Sequence, residues 1–118
     1  MKTDNKILEL SFEFSLKIIE LYKKLVDHKE FVISKQLLKS GTSIGANIEE
    51  AIAAQSRKDF ISRMAIASKE ARETRYWLRL LDKSKLVNID YTDYLNGVEH
   101  IINILTKIVK TSQETQVQ

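Results

Sequence analysis

Apolar residues recur along this chain at three- and four-residue spacing in four separate blocks, which is the period of an amphipathic α-helix. The first block runs over residues 5–27 through Ile7, Leu10, Phe14, Ile18, Leu21 and Leu25, with Leu8, Ile19, Tyr22 and Val26 widening the stripe. It predicts a helix of about six turns, with Lys23 and Lys24 in the last turns, where the helix dipole favours cations. A short polar break, DHKEF, follows. The second block predicts a helix over 34–54 with Ser34 as N-cap and a seam of Leu37, Gly41, Ile44, Ile48 and Ala51, flanked by Leu38, Gly45 and Ile52. The third predicts a helix over 57–82, opened by Ser56 and Asp59 in a capping-box-like spacing. Its core positions are Phe60, Met64, Ala67, Ala71, Thr74, Leu78 and Leu81. The fourth predicts a helix over 90–111 with Asp90 as N-cap and Asp93 at the third helical position. Its stripe is Tyr94, Leu95, Val98, Ile101, Ile102, Leu105, Ile108 and Val109, and the polar run from Thr111 to Gln118 reads as a frayed end. Four long helices with short connections predict one all-α domain over 1–118, an antiparallel up-down-up-down four-helix bundle.

One segment inside the second helix resists this simple reading. SGTSIG holds five Gly, Ser or Thr residues, all of which lower helix propensity. A close helix–helix approach, where longer side chains would not fit, accounts for them. A phosphate-cradling loop is the alternative, but no strand precedes the segment and no Lys stands in the Walker position.

Composition narrows the function classes. There is no Cys, which excludes disulfides, zinc fingers and thiol catalysis, and no Pro and only three Gly, which disfavours turn-rich β folds. No run of eighteen apolar residues exists to span a membrane, and the acidic residues within the opening apolar stretch are unlike a signal peptide. The expected address is the cytoplasm.

Charge carries more information than its total of +3 suggests. Residues 56–83 hold eight Lys or Arg against four acids, while the rest of the chain is close to balanced. At 100° per residue, Arg57, Lys58, Lys69, Arg72, Arg75, Arg79 and Lys83 fall within about one third of the circumference of the third helix. Arg forks suit phosphate oxygens, so this stripe is a candidate surface for RNA or DNA. A solvated helix face, or Arg pairing with acids on a neighbouring helix, explains the same pattern. Tyr76 and Trp77 nearby would suit base stacking. Trp77, however, falls with Ile66 and Leu80 on the flank opposite the stripe, where the three are candidates for an oligomer interface.

Asn47 and Glu50 on the second helix, and Glu70 and Glu73 on the third, repeat at i, i+3. Dimetal carboxylate sites in bundles need Glu-x-x-His pairs, which neither His28 nor His100 completes. A polar network fixing helix register is the preferred reading, with no metal and no cofactor. A general base among Glu70 and Glu73 stays open, but no catalytic residue is assigned and no enzyme is expected.

The run SIGANIEEA (Ser43 to Ala51), followed by SRKDFISRMAIASKEARETRYWLRLL (Ser56 to Leu81), closely resembles one family. It is that of the four-helix-bundle proteins encoded in intervening sequences of bacterial 23S ribosomal RNA genes, also called S23 ribosomal proteins. The resemblance rests on Ser43-x-x-x-Asn47-x-x-Glu50, Lys58-Asp59-Phe60, and Lys69-Glu70-Ala71-x-Glu73-Thr74 ending in Trp77-Leu78. The chain departs at Ala51-Ile52, where many relatives carry a Gly. The resemblance implies a ring-like homopentamer. The chain is also similar to the accessory protein of diversity-generating retroelements, which implies nucleic acid and a reverse transcriptase as partners. It carries over no catalytic residue.

Overall fold

The four apolar periods fold as four α-helices: α1 over Lys2–Asp27, α2 over Ile33–Ile52, α3 over Arg57–Ser84 and α4 over Thr92–Val117. The computed structural model describes residues 2–117, and the side chains of residues 5–115. The principal corrections to the predicted boundaries lie at helix ends. Helix α4 continues through the polar tail expected to fray, as far as Val117, and Gln118 lies outside the described residues. Ser112 explains the continuation, being only 6% exposed as it extends the stripe of Leu105 and Ile108 by another turn.

The α1–α2 turn is built by residues that propensity alone does not single out. Lys29 adopts a left-handed conformation with φ 64°, and the Lys29 and Glu30 amides donate back to the Val26 (2.8 Å) and Leu25 (2.9 Å) carbonyls. This is a Schellman closure with Lys where Gly is usual. Glu30 then turns its carboxylate onto the open end of α2, accepting from the amides of Val32 (3.2 Å), Ile33 (3.1 Å) and Ser34 (2.6 Å). Ser34, expected as the N-cap, instead lies inside the helix and donates its hydroxyl to the Glu30 carbonyl at 2.8 Å. One carboxylate thus satisfies three of the four amides that a helix start leaves free.

Helix α3 starts as predicted, with the Ser56 side chain accepting from the Asp59 amide at 3.1 Å. At α4 the Asp90 side chain accepts from the Thr92 amide at 3.0 Å, two hydrogen bonds with Thr92 holding its carboxyl below the usual range. The Tyr91 carbonyl, not that of Asp90, takes the first helical bond, from the Leu95 amide at 3.0 Å.

Each helix packs on its neighbours in sequence and α1 closes on α4, while the diagonal pairs make no backbone contact among the described residues. The α2–α3 seam is the most extensive and the α1–α4 seam the least. The result is a rod of 50 × 22 × 22 Å. Ile18, Leu21, Leu37, Ile44, Ile48, Met64, Leu78, Leu81 and Leu105 are fully buried along its axis. Each such side chain contributes about 1.5–3 kcal/mol relative to exposure.

The small-residue segment has the role expected of a close approach. A methyl group at Gly41 would stand 2.8 Å from Ile18 Cγ2 and 2.9 Å from its Cγ1, so α1 rests on bare α2 backbone there. At Gly45 the nearest atom to such a methyl is 3.4 Å away, an ordinary contact. Next to Gly41, Ser40 faces the other neighbour, and its hydroxyl lies 2.9 Å from that of Thr74 on α3, with both residues fully buried.

Two outcomes follow for stability. Gly41→Ala overpacks the α1–α2 seam and costs on the order of 1 kcal/mol or more, whereas Gly45→Ala is neutral or gains up to about 1 kcal/mol of helix propensity; urea unfolding separates the two. Tyr91 is buried with its hydroxyl donating to the Val87 carbonyl at 2.8 Å, and burial, then the Asp82 and Glu30 charges, push its pKa up to about 12. The unfolded phenol ionises near its ordinary value of about 10, so stability holds below that pH and declines as pH rises toward 12. Ultraviolet titration of tyrosinate is expected to show one late phase that Tyr91→Phe removes.

Candidate nucleic-acid interface

Helix α3 presents its charges on one face because its apolar positions occupy the other. Its core residues Met64, Ala67, Ala71, Leu78 and Leu81 are buried, leaving Arg57, Lys58, Lys69, Arg72, Arg79 and Lys83 exposed. Arg75, at the edge of the stripe, crosses to α4 and meets Glu99 with Nη1 at 2.9 Å from Oε2 and 3.3 Å from Oε1. This is the one ion pair among the described residues. Its partners are 35% and 50% exposed, so the pair adds about 0–1 kcal/mol.

The stripe borders a groove between α3 and α4. Ala65, Ser68, Lys69 and Arg72 form one wall, and Thr106, Val109, Lys110 and Gln113 the other. Three cations, two hydroxyls and an amide belong to residues that line it, most of its exposed lining is apolar, and no acid lines it. Such a set can grip an anion by charge and by hydrogen bonds together. The contribution of α4, Thr106, Lys110 and Gln113, lies outside the residues that the basic stripe singles out. The signal that would have found it is their spacing of four and three residues, which places them on one flank of the helix.

The other flank of α3 carries the carboxylates. The four residues expected to form a polar network do not join: among the described residues no hydrogen bond links Asn47 and Glu50 to Glu70 and Glu73. Asn47 donates instead to the Ser43 carbonyl of its own helix at 2.9 Å, and Glu73 accepts from the Trp77 indole N–H at 3.2 Å. Both of these partners lie four residues away on the same helix. Glu70 is half-buried and its pKa is raised by burial first and by the Glu73 charge second, with Lys69 and Lys39 opposing. Among the described residues no three His, Asp or Glu side chains converge as metal ligands would.

Ile66 and Leu80 on this flank are each 37% exposed, and Trp77 is half-buried against the core. A second apolar face lies on α1, where Phe12, Leu16 and Ile19 are exposed at helical spacing. Ile19, expected in the core stripe, is instead exposed and joins Phe12 and Leu16 on this face. Their spacing marks a face of its own, distinct from the seam through Phe14 and Ile18.

Comparison with known proteins gives a consistent result. Residues 3–107 match the family described as 23S rRNA-intervening sequence protein. Among solved structures, one of a protein with unknown function from the S23 ribosomal protein family of Bacteroides thetaiotaomicron VPI-5482, at 1.70 Å resolution, is 50% identical. The match covers 92% of this chain and 98% of that one, with a TM-score of 0.87. A search of curated proteins finds no match.

The paired carboxylates give a direct check. Glu73→Gln is expected to bring the Glu70 titration down toward the usual range without reaching it, since burial, the larger cause, stays. Carboxyl-detected NMR titration measures this. With its folded pKa raised, Glu70 favours folding below its unfolded pKa, and that contribution disappears as pH rises through the folded value.

Proposed function

The chain belongs to the 23S rRNA-intervening sequence protein family, and from that starting point we propose a non-enzymatic, oligomeric protein that binds RNA or DNA phosphates through the basic α3–α4 face. The observation that carries the reading is the acid-free groove in which Lys69 and Arg72 of α3 meet Lys110 of α4. Exposed Arg79 and Lys83 continue the cationic strip beyond it, and Arg57 and Lys58 stand at its N-terminal end. Such a face reads backbone charge rather than base sequence.

Self-association supplies the second half of the proposal. The exposed apolar faces of α1 and α3 lie on diagonally placed helices. Two different patches suit a head-to-tail contact, which closes into a ring when the rotation between subunits allows, better than a twofold pair that matches one patch with itself. A ring of five is the state the family resemblance favours. None of the described helices is long and apolar enough to cross a membrane, and the cytoplasm is the proposed compartment.

A purely structural role for the Arg residues is the competing reading, and the Arg75–Glu99 pair favours it at that one position. Binding of structured RNA and duplex DNA across a salt series decides between them, using wild type and an Arg72/Arg75/Arg79→Ala variant. The proposal expects affinity to fall steeply with salt. The variant is expected to flatten the slope by about one unit for each phosphate it no longer neutralises, while keeping its oligomer size. Glu99→Gln, which releases Arg75, is expected to strengthen binding. An unbound wild type at low salt overturns the reading, and a variant that falls apart assigns the Arg residues to assembly.

A further inference from the structure

Given the phosphate-binding face proposed above, and resting on it, we infer that the face is built for unpaired nucleic acid, with Tyr76 as a stacking platform for an exposed base. Lys69, Arg72, Tyr76, Arg79 and Lys83 follow one another at steps of three and four residues on α3. At that spacing they stand above one another on a single strip of the helix, about 4.5–6 Å apart along its axis. An aromatic ring therefore sits in the middle of the cationic row, with two cations on either side.

The ring is in a condition that stacking requires. Tyr76 is 54% exposed, the most exposed aromatic side chain of α3, so a planar group can reach it. It takes no part in the core, and no hydrogen bond of its hydroxyl is found among the described residues. It is nonetheless braced. The Trp77 ring meets it edge-on, with centroids 5.1 Å apart and planes at 73°. Trp77 is itself fixed, packed against the core and donating its indole N–H to Glu73 at 3.2 Å.

This arrangement distinguishes strand types. In a duplex the faces of the bases are already covered by their neighbours, and only phosphates are on offer to the row of cations. An unpaired strand offers both its phosphates and a free base face, and stacking on an aromatic ring tolerates any base. The cationic row alone would bind both forms, with the higher charge density of a duplex in its favour. Tyr76 adds a term that only the unpaired strand collects.

The test is fluorescence anisotropy with labelled single strands of about a dozen nucleotides, as RNA and as DNA, each alone and annealed to its complement. The proteins are wild type, Tyr76→Leu, Tyr76→Phe and the Arg72/Arg75/Arg79→Ala variant. Tyr76→Leu is expected to weaken single-strand binding by about 5- to 150-fold, leave duplex binding and the salt slope unchanged, and be rescued by Tyr76→Phe. Emission from Trp77, the single Trp and in edge contact with Tyr76, is expected to change on adding a single strand. A loss confined to RNA or to DNA identifies that strand as the ligand and supports the inference. Unchanged single-strand affinity in Tyr76→Leu overturns it while leaving the phosphate reading intact, provided the Arg variant still loses binding. Equal losses for single strand and duplex also overturn it, since they assign Tyr76 a structural role. Failure of the wild type to bind any of the four ligands removes both readings.

Discussion

The position of the basic face depends on a pair of buried hydroxyls. Ser40 and Thr74 meet across the α2–α3 seam at 2.9 Å, with the Glu70 carbonyl 2.8 Å from Thr74. In a surrounding of Leu and Ile, sliding either helix by one turn would lose this cross-seam bond, worth about 0.5–1.5 kcal/mol, although each hydroxyl keeps a carbonyl of its own helix within reach. Apolar seams are tolerant of small slips, whereas a hydroxyl pair is not. The residue beside Ser40 is Gly41, on which Ile18 of α1 rests. One level of α2 therefore sets the register of α3 on one side and the distance of α1 on the other. Arg75 and Tyr76, the residues after Thr74, take their direction from that level.

Much of this was legible in the sequence, for a physical reason. Burial along a bundle repeats every three to four residues, so stripes such as Leu37–Ile44–Ile48–Ala51 report both the helix and the face it hides. Ser56 was legible as a cap because its partner, the Asp59 amide, is three residues away. Glu30 was not, since a carboxylate that caps the following helix does so only once the chain has turned through the left-handed Lys29. Ser112 misled in the opposite sense: it reads as polar by type and is buried by position.

The candidate site divides along the same line. The cationic stripe belongs to one helix and follows from one period, so α3 alone revealed it. The groove beside it needs Thr106, Lys110 and Gln113, whose approach to α3 is a matter of bundle packing. The pairing of Arg75 with Glu99 likewise joins residues that no local pattern connects. Conversely, the i, i+3 carboxylates suggested a network across helices that the side chains do not form. Asn47 and Glu73 found partners on their own helices first.

The order in which the seams connect the chain has a kinetic consequence. Three of the four seams join consecutive helices, and only the thinnest, between α1 and α4, joins the two ends of the described fold. Mostly local pairings of this kind lower contact order and favour rapid folding. In a chain synthesised from its N-terminus, α1, α2 and α3 can pair before α4 has emerged. The groove, half of which belongs to α4, comes into being only when that last helix docks. Until then the cations of α3 stand as an open row beside an uncovered apolar seam, so the groove and the completed fold arise in the same step.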